Sequence, residues 1–213
     1  MIKHGLLLGA ILLMVACSGP QKATKEKGWI SLFDGKSLDG WKASERQDVF
    51  TVENGSIKVA GPRAHLYYDG DVMQHNFKNF ELKAKVMTMP GSNSGFYFHT
   101  KFQEKGFPEK GFEVQVNNSH RDWKRTAGLY DMEDTRDVHV KDSVWFTLYI
   151  KVDGKNVTTK INDQTVIEWT EPEPAAPPRN HRERFIDSGT FAIQAHDPKS
   201  VAFFKDIMVK PLP

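Results

Sequence analysis

From Trp29 to the C-terminus, apolar residues recur at every second position in short runs, and this alternation constrains the fold more than any other feature. Side chains along a strand point alternately to opposite faces, so a period of two marks strands with one buried face. The runs are Gly55–Ala60, Phe80–Met87, Gly95–Lys101, Gly111–Asn117, Trp145–Val152, Asn156–Ile161, Thr165–Thr170, Gly189–Ala195 and Val201–Lys210. Turn residues separate them: Glu53-Asn54-Gly55, Pro90-Gly91-Ser92, Asp153-Gly154-Lys155 and Asn162-Asp163. The last two predict successive tight hairpins, which makes Phe146–Trp169 a three-stranded meander. No segment carries an apolar stripe at 3.6 spacing over three turns, so helix is minor. Many short, evenly spaced strands predict an all-β sandwich or jelly roll. Trp29, Phe33, Trp41, Trp145 and Trp169 fall on the apolar positions and are expected in its core.

The N-terminus is of another kind. Lys3 and His4 precede the apolar run Gly5–Ala16, which is too short to span a bilayer comfortably. It has the layout of a signal peptide and ends at Cys17, the only cysteine of the chain. Met14-Val15-Ala16-Cys17 resembles a bacterial lipobox, so residues 1–16 are expected to be a lipoprotein signal peptide and Cys17 the lipidated residue. An ordinary signal peptide is the alternative. Residues 17–28 read as a flexible polar tether, and residues 29–213 as one domain of ample size for a core. The expected location is the bacterial cell envelope, lipid-anchored and facing the periplasm or at the outer membrane. With a formal charge of +2 and no basic stripe, nucleic acid is a poor partner.

Three strands carry polar residues on the face opposite the core. In Asn93–His99 alternation pairs Tyr97 with His99, in Gly111–Asn117 it pairs Glu113 with Gln115, and in Phe191–Asp197 it pairs Gln194 with His196. The other faces read Phe96 and Phe98, Phe112 with Val114 and Val116, and Phe191 with Ile193. One apolar face and one lined by Glu, His, Gln and Tyr describe a carbohydrate cleft. Two long segments, His120–Lys141 and the proline-rich Glu171–Asp187, are loops of the kind that carry ligand contacts.

Each of these residues has a structural alternative. An acid in mid-strand is costly to bury unpaired, and a structural Glu113 would ion-pair with Arg125 or Arg184. His99 and His196 could be core histidines satisfied by backbone, and Gln115 and Gln194 a polar ladder across the sheet. Trp123 and Tyr130 could form a stacking platform for a sugar ring or anchor a loop. His120 and His181 lie in loops and are expected to be solvated. His99, Glu113 and His196 match the residue types of a two-histidine, one-carboxylate metal site, but no local metal motif supports it, and no metal is expected.

Several motifs occur in the order of a known family: Ser31-Leu32-Phe33-Asp34-Gly35, Phe77-Lys78-Asn79-Phe80-Glu81-Leu82, Asn93-Ser94-Gly95-Phe96-Tyr97-Phe98, Gly111-Phe112-Glu113-Val114-Gln115-Val116, Ala127-Gly128-Leu129-Tyr130 and Ile193-Gln194-Ala195-His196. The chain resembles the 3-keto-disaccharide hydrolase domain family, abundant in Bacteroidota, from Trp29 to Leu212. The resemblance implies a concanavalin-like jelly roll of two curved antiparallel sheets. It also implies cleavage of glycosides already oxidised at the sugar's 3-position.

The residues suit that substrate better than an ordinary glycoside. Conventional hydrolysis needs two carboxylates, about 5–5.5 Å or 6.5–9.5 Å apart. Jelly-roll glucanases carry theirs as Glu-x-Asp-x-x-Glu, whereas here Glu113 is followed by Gln115 and Asn118. An amide is neither nucleophile nor acid, so a glucanase would need a second acid from a loop such as Asp131–Asp137. A 3-keto group acidifies the C2 proton, and a single base can then start elimination. Glu113 is the candidate base, with His99 or His196 stabilising the enolate or donating a proton. Tyr97, Gln115, Gln194, Tyr130 and Trp123 are candidate substrate-binding residues. No cofactor is expected, because nothing in the sequence could hold NAD, and a separate NAD-dependent oxidoreductase would supply the keto sugar. The alternatives are a non-catalytic carbohydrate-binding lipoprotein and, behind it, a conventional jelly-roll glucanase.

Overall fold

A computed structural model describes residues 27–213, so the expected signal peptide and lipidation site at Cys17 lie outside the described residues. The strands are β1 (Ile30–Ser31), β2 (Trp41–Ala43), β3 (Phe50–Glu53), β4 (Ser56–Ala60), β5 (Ala64–Tyr68), β6 (Phe80–Thr88) and β7 (Ser94–Thr100). They continue as β8 (Phe112–Val116), β9 (Phe146–Asp153), β10 (Asn156–Ile161), β11 (Gln164–Thr170), β12 (Thr190–Ala195) and β13 (Val201–Pro211). Helix among the described residues amounts to two short 3₁₀ turns, Gln47–Val49 and Val72–His75.

One sheet runs β11-β10-β9-β6-β13-β4-β3, with β1 on β13, and the other runs β2-β5-β12-β7-β8. Every pairing between them is antiparallel. This is the jelly-roll sandwich that the alternation predicts, and β9-β10-β11 is the predicted meander. The core between the sheets is aromatic: Phe191 stacks on Phe77 at 4.5 Å and meets Phe80 edge-on at 5.0 Å, while Phe98 stacks on Phe112 at 5.1 Å. Such pairs add to the burial of apolar area that drives the sheets together. Trp41 is buried, with its indole N–H donating to the Leu32 carbonyl at 2.8 Å. Trp29 and Trp145 depart from expectation. Both are half-exposed, beneath the ammonium groups of Lys83 and Lys205 at 4.2 Å.

The alternation also misses one local event. The pairing of β7 with β12 slips between Thr190 and Ala192, and His99 takes a left-handed backbone with φ +54°. The chain can pass tightly here because Gly111 and Gly189 flank it. A Cβ at either position would collide with the backbone of residues 98–100. A bulge moves the next side chain to the other face, so Phe98 and His99 both turn toward the core. The His99 ring lies 5.8 Å from Phe80.

Candidate active site

The outer face of the β2-β5-β12-β7-β8 sheet carries the site. Its register builds two rows. Tyr67, Ala192, Tyr97 and Glu113 stand opposite one another on β5, β12, β7 and β8. In the second row His65 faces Gln194 and Gly95 faces Gln115, and the Ile193–Phe96 register brings Gln194 beside Gly95. Small residues alternate with large ones, so long side chains from one row fold over gaps in the other. Gly95 is such a gap: a Cβ there would collide with Oε1 of Glu113.

Glu113 is only 5% exposed, yet it reaches a cavity of about 270 Å³. The Tyr97 hydroxyl donates to its Oε2 at 2.7 Å, and the Gln194 amide donates to Oε1 at 3.1 Å. The same amide lies 2.9 Å from the Tyr97 oxygen. Gln115 completes the shell. Turned toward Glu113, its NH₂ meets Oε1 at 3.3 Å and the Ser94 carbonyl at 3.2 Å. Burial raises the Glu113 carboxyl above its ordinary value, opposed by the charge of Arg184 and by the Tyr97 hydrogen bond. Arg184 makes no ion pair with Glu113 within 4 Å among the described residues, and Arg125 is committed to Asn117 and to loop carbonyls. The structural ion pair that would have explained Glu113 away is therefore absent there.

Both long loops supply walls. Asp122, Tyr130 and Asp131 come from the first, and Asn180, His181 and Arg184 from the second. Arg184 is 3% exposed and donates to the Tyr130 carbonyl at 2.5 Å, while its Nε has no partner. Asp131 is held by Lys124, by His181 at 3.1 Å and by Asn180 at 3.4 Å. His181 is thus a wall residue, half-buried rather than solvated. Tyr130 lines the cavity, whereas Trp123 lies outside it, 41% exposed beneath Arg136. The paired platform is not assembled.

His196 lines the opposite wall, with Nδ1 2.9 Å from Oδ2 of Asp197. Partial burial works against ionisation of Asp197, but hydrogen bonds from Ser200, His196 and the Lys199 backbone hold its pKa at about 2. His120, also expected to be solvated, is half-buried beside this pair, its ring 5.6 Å from that of His196. His99 does not join them. It is fully buried on the core side, with Nε2 2.8 Å from the Lys78 carbonyl and Nδ1 accepting from Asp187 N–H at 3.4 Å. Burial lowers its pKa to about 4, so it is a neutral core histidine satisfied by backbone. A His99–Glu113–His196 ligand set is therefore not brought together.

Sequence reading overlooked Arg184, Asn93 and Phe107, which line the cavity, and His65, which is buried against Tyr97. His65 was legible in principle, since Ala64–Tyr68 alternates, but the strand is short and follows Gly61-Pro62. Its ring is fully buried among Tyr67, Tyr97 and Phe107, with both nitrogens unpartnered.

Comparison with known proteins places the chain among relatives. A 3-keto-disaccharide hydrolase of Bacteroides thetaiotaomicron is 31% identical over 171 residues, covering 67% of this chain. The chain spans 58% of that relative's length. Among solved structures, a Parabacteroides distasonis protein provisionally assigned to the glycosyl hydrolases matches with a TM-score of 0.70 at 22% identity, covering 87% of this chain and 94% of its own. The carbohydrate-binding module CBM66 of Bacillus subtilis matches with a TM-score of 0.55 at 11% identity, over 80% of this chain and 95% of its own. These structures share the fold. The sequence profile of the 3-keto-alpha-glucoside-1,2-lyase-like domain matches residues 28–210, nearly all that the structure describes, and the chain belongs to that family.

Proposed function

We propose that this chain cleaves 3-keto-glycosides by elimination followed by hydration, with Glu113 as the base. The observation that carries the reading is the isolation of Glu113. It is one buried carboxylate on the cavity floor, fixed by Tyr97 and Gln194 and free of a neutralising ion pair. Glu113 takes the C2 proton, and the electron pair moves into the C2–C3 bond as the C3 carbonyl becomes an enolate. Arg184, buried with an unused Nε–H, supplies positive charge for that oxygen. The enolate then expels the C1 oxygen, which takes a proton from the His196 side of the cavity. Water adds at C1 of the resulting enone, and C2 regains a proton. Tyr97, Gln115, Gln194 and Tyr130 hold the sugar hydroxyls.

A conventional two-carboxylate route fits less well. Asp131 does line the cavity, but Lys124, His181 and Asn180 already engage it. The keto sugar would come from a separate NAD-dependent oxidoreductase, and the chain would act from a lipid anchor at Cys17 in the cell envelope. The test is turnover of the 3-keto form of nitrophenyl glucoside beside its unoxidised parent. Release from the keto compound alone, reduced roughly 10²–10⁴-fold in Glu113→Gln, is expected. Release from neither compound would reject this substrate class and favour a binding module.

A further inference from the structure

Where β12 passes into the next turn, three side chains of metal-ligating type converge at the rim of the cavity. One ligand atom each from His120, His196 and Asp197 lies within 4.8 Å of the other two, and all three residues are half-buried. The 2.9 Å from His196 Nδ1 to Asp197 Oδ2 is close to the spacing of neighbouring ligands on an octahedral ion, about 3.0 Å for bonds of about 2.1 Å. His120 Nε2 stands 3.9 Å from the same oxygen. The carboxylate is already oriented, with Ser200 Oγ donating to Oδ2 at 2.6 Å and Lys199 N–H to Oδ1 at 2.9 Å. Outer hydrogen bonds of this kind accompany metal sites.

The backbone orients His120: Asp122 N–H donates to its Nδ1 at 3.2 Å, which leaves Nε2 facing Asp197.

We propose that His120, His196 and Asp197 bind one divalent first-row transition ion, with open coordination positions at the cavity rim. Two imidazoles and one carboxylate select such ions over calcium or magnesium and leave positions free. Ligation through Nδ1 of His196 leaves its Nε2 to carry a proton, so its donor role is kept. The bland alternative is Asp197 bridging two histidines by hydrogen bonds alone.

The full chain, stripped with a chelator, would be titrated with Co²⁺ followed by visible absorption and with Zn²⁺ followed by calorimetry. A Cys17→Ala chain would run in parallel to exclude the thiol. One equivalent bound in both, weakened at least about tenfold in His120→Gln and in Asp197→Asn, is the expected result. Circular dichroism of the stripped variants confirms that they fold. No binding up to millimolar metal, or binding indifferent to both substitutions, would overturn the site. The readout contains no sugar, so it stands or falls separately from the keto-glycoside reading.

Discussion

At the scale of single residues, the two buried ionisable groups closest to the chemistry pull stability and function in opposite directions. Glu113 carries a carboxyl whose native pKa is raised by burial. The folded state therefore holds its proton more tightly than the unfolded chain, and the contribution to stability falls as pH rises from the ordinary value of 4.5 through the native one. That cost builds up as pH rises from 4 to 7. Glu113→Gln should thus raise the melting temperature at pH 7 but not at pH 4, even as it lowers turnover roughly 10²–10⁴-fold. Scanning calorimetry at the two pH values checks this. Arg184→Gln removes the cation that restrains the Glu113 shift. The acid limb of the pH–activity profile, which lies above 4.5 in the wild type, should then move further upward. An unmoved limb would separate Arg184 from Glu113.

At the scale of elements, the bulge in β7 decides which histidine belongs to the cavity. Gly111 and Gly189 permit the close approach, and the left-handed turn at His99 carries its ring to the core side. His99→Asn tolerates that backbone and loses the hydrogen bond to Lys78. It should cost about 1–3 kcal/mol of stability while leaving kcat/KM within about twofold. Denaturant unfolding and steady-state kinetics on one preparation test both halves. A loss of turnover without a loss of stability would return His99 to the site. The two long loops are the second decision at this scale, since Tyr130, His181 and Arg184 reach the cavity only because both segments fold over the β8 side of the sheet.

At the scale of the whole molecule, two buried neutral histidines, His99 in the core and His65 on the site face, lower its acid tolerance. Burial lowers the pKa of His65 to about 3 and that of His99 to about 4. Unfolding lets both take up protons near 6.5, so stability present above that pH is lost progressively as pH falls toward 4. Melting temperature should accordingly fall from pH 7 to pH 4, and less steeply in His65→Phe, which adds no titrating group in its aromatic pocket. The N-terminus bears on the molecule's location. Cys17→Ala should move the expressed chain from the membrane fraction to the soluble one, scored by fractionation and immunoblot.

What the sequence by itself determined is the sandwich and the identity of its polar face. Alternation is a local property of the pleat, so Tyr97, Glu113, Gln115, Gln194 and His196 could be placed together from spacing alone. The short strands β1, β2, β3 and β5 escaped notice, because a run that short carries too few repeats to establish a period. Tertiary structure decided the rest. A one-residue bulge inverts every inference from parity beyond it, which is why His99 was misplaced. Loop residues have no period at all, so the positions of Arg184, His181, His120 and Trp123 depended on how two non-repeating segments fold over a sheet built from distant strands.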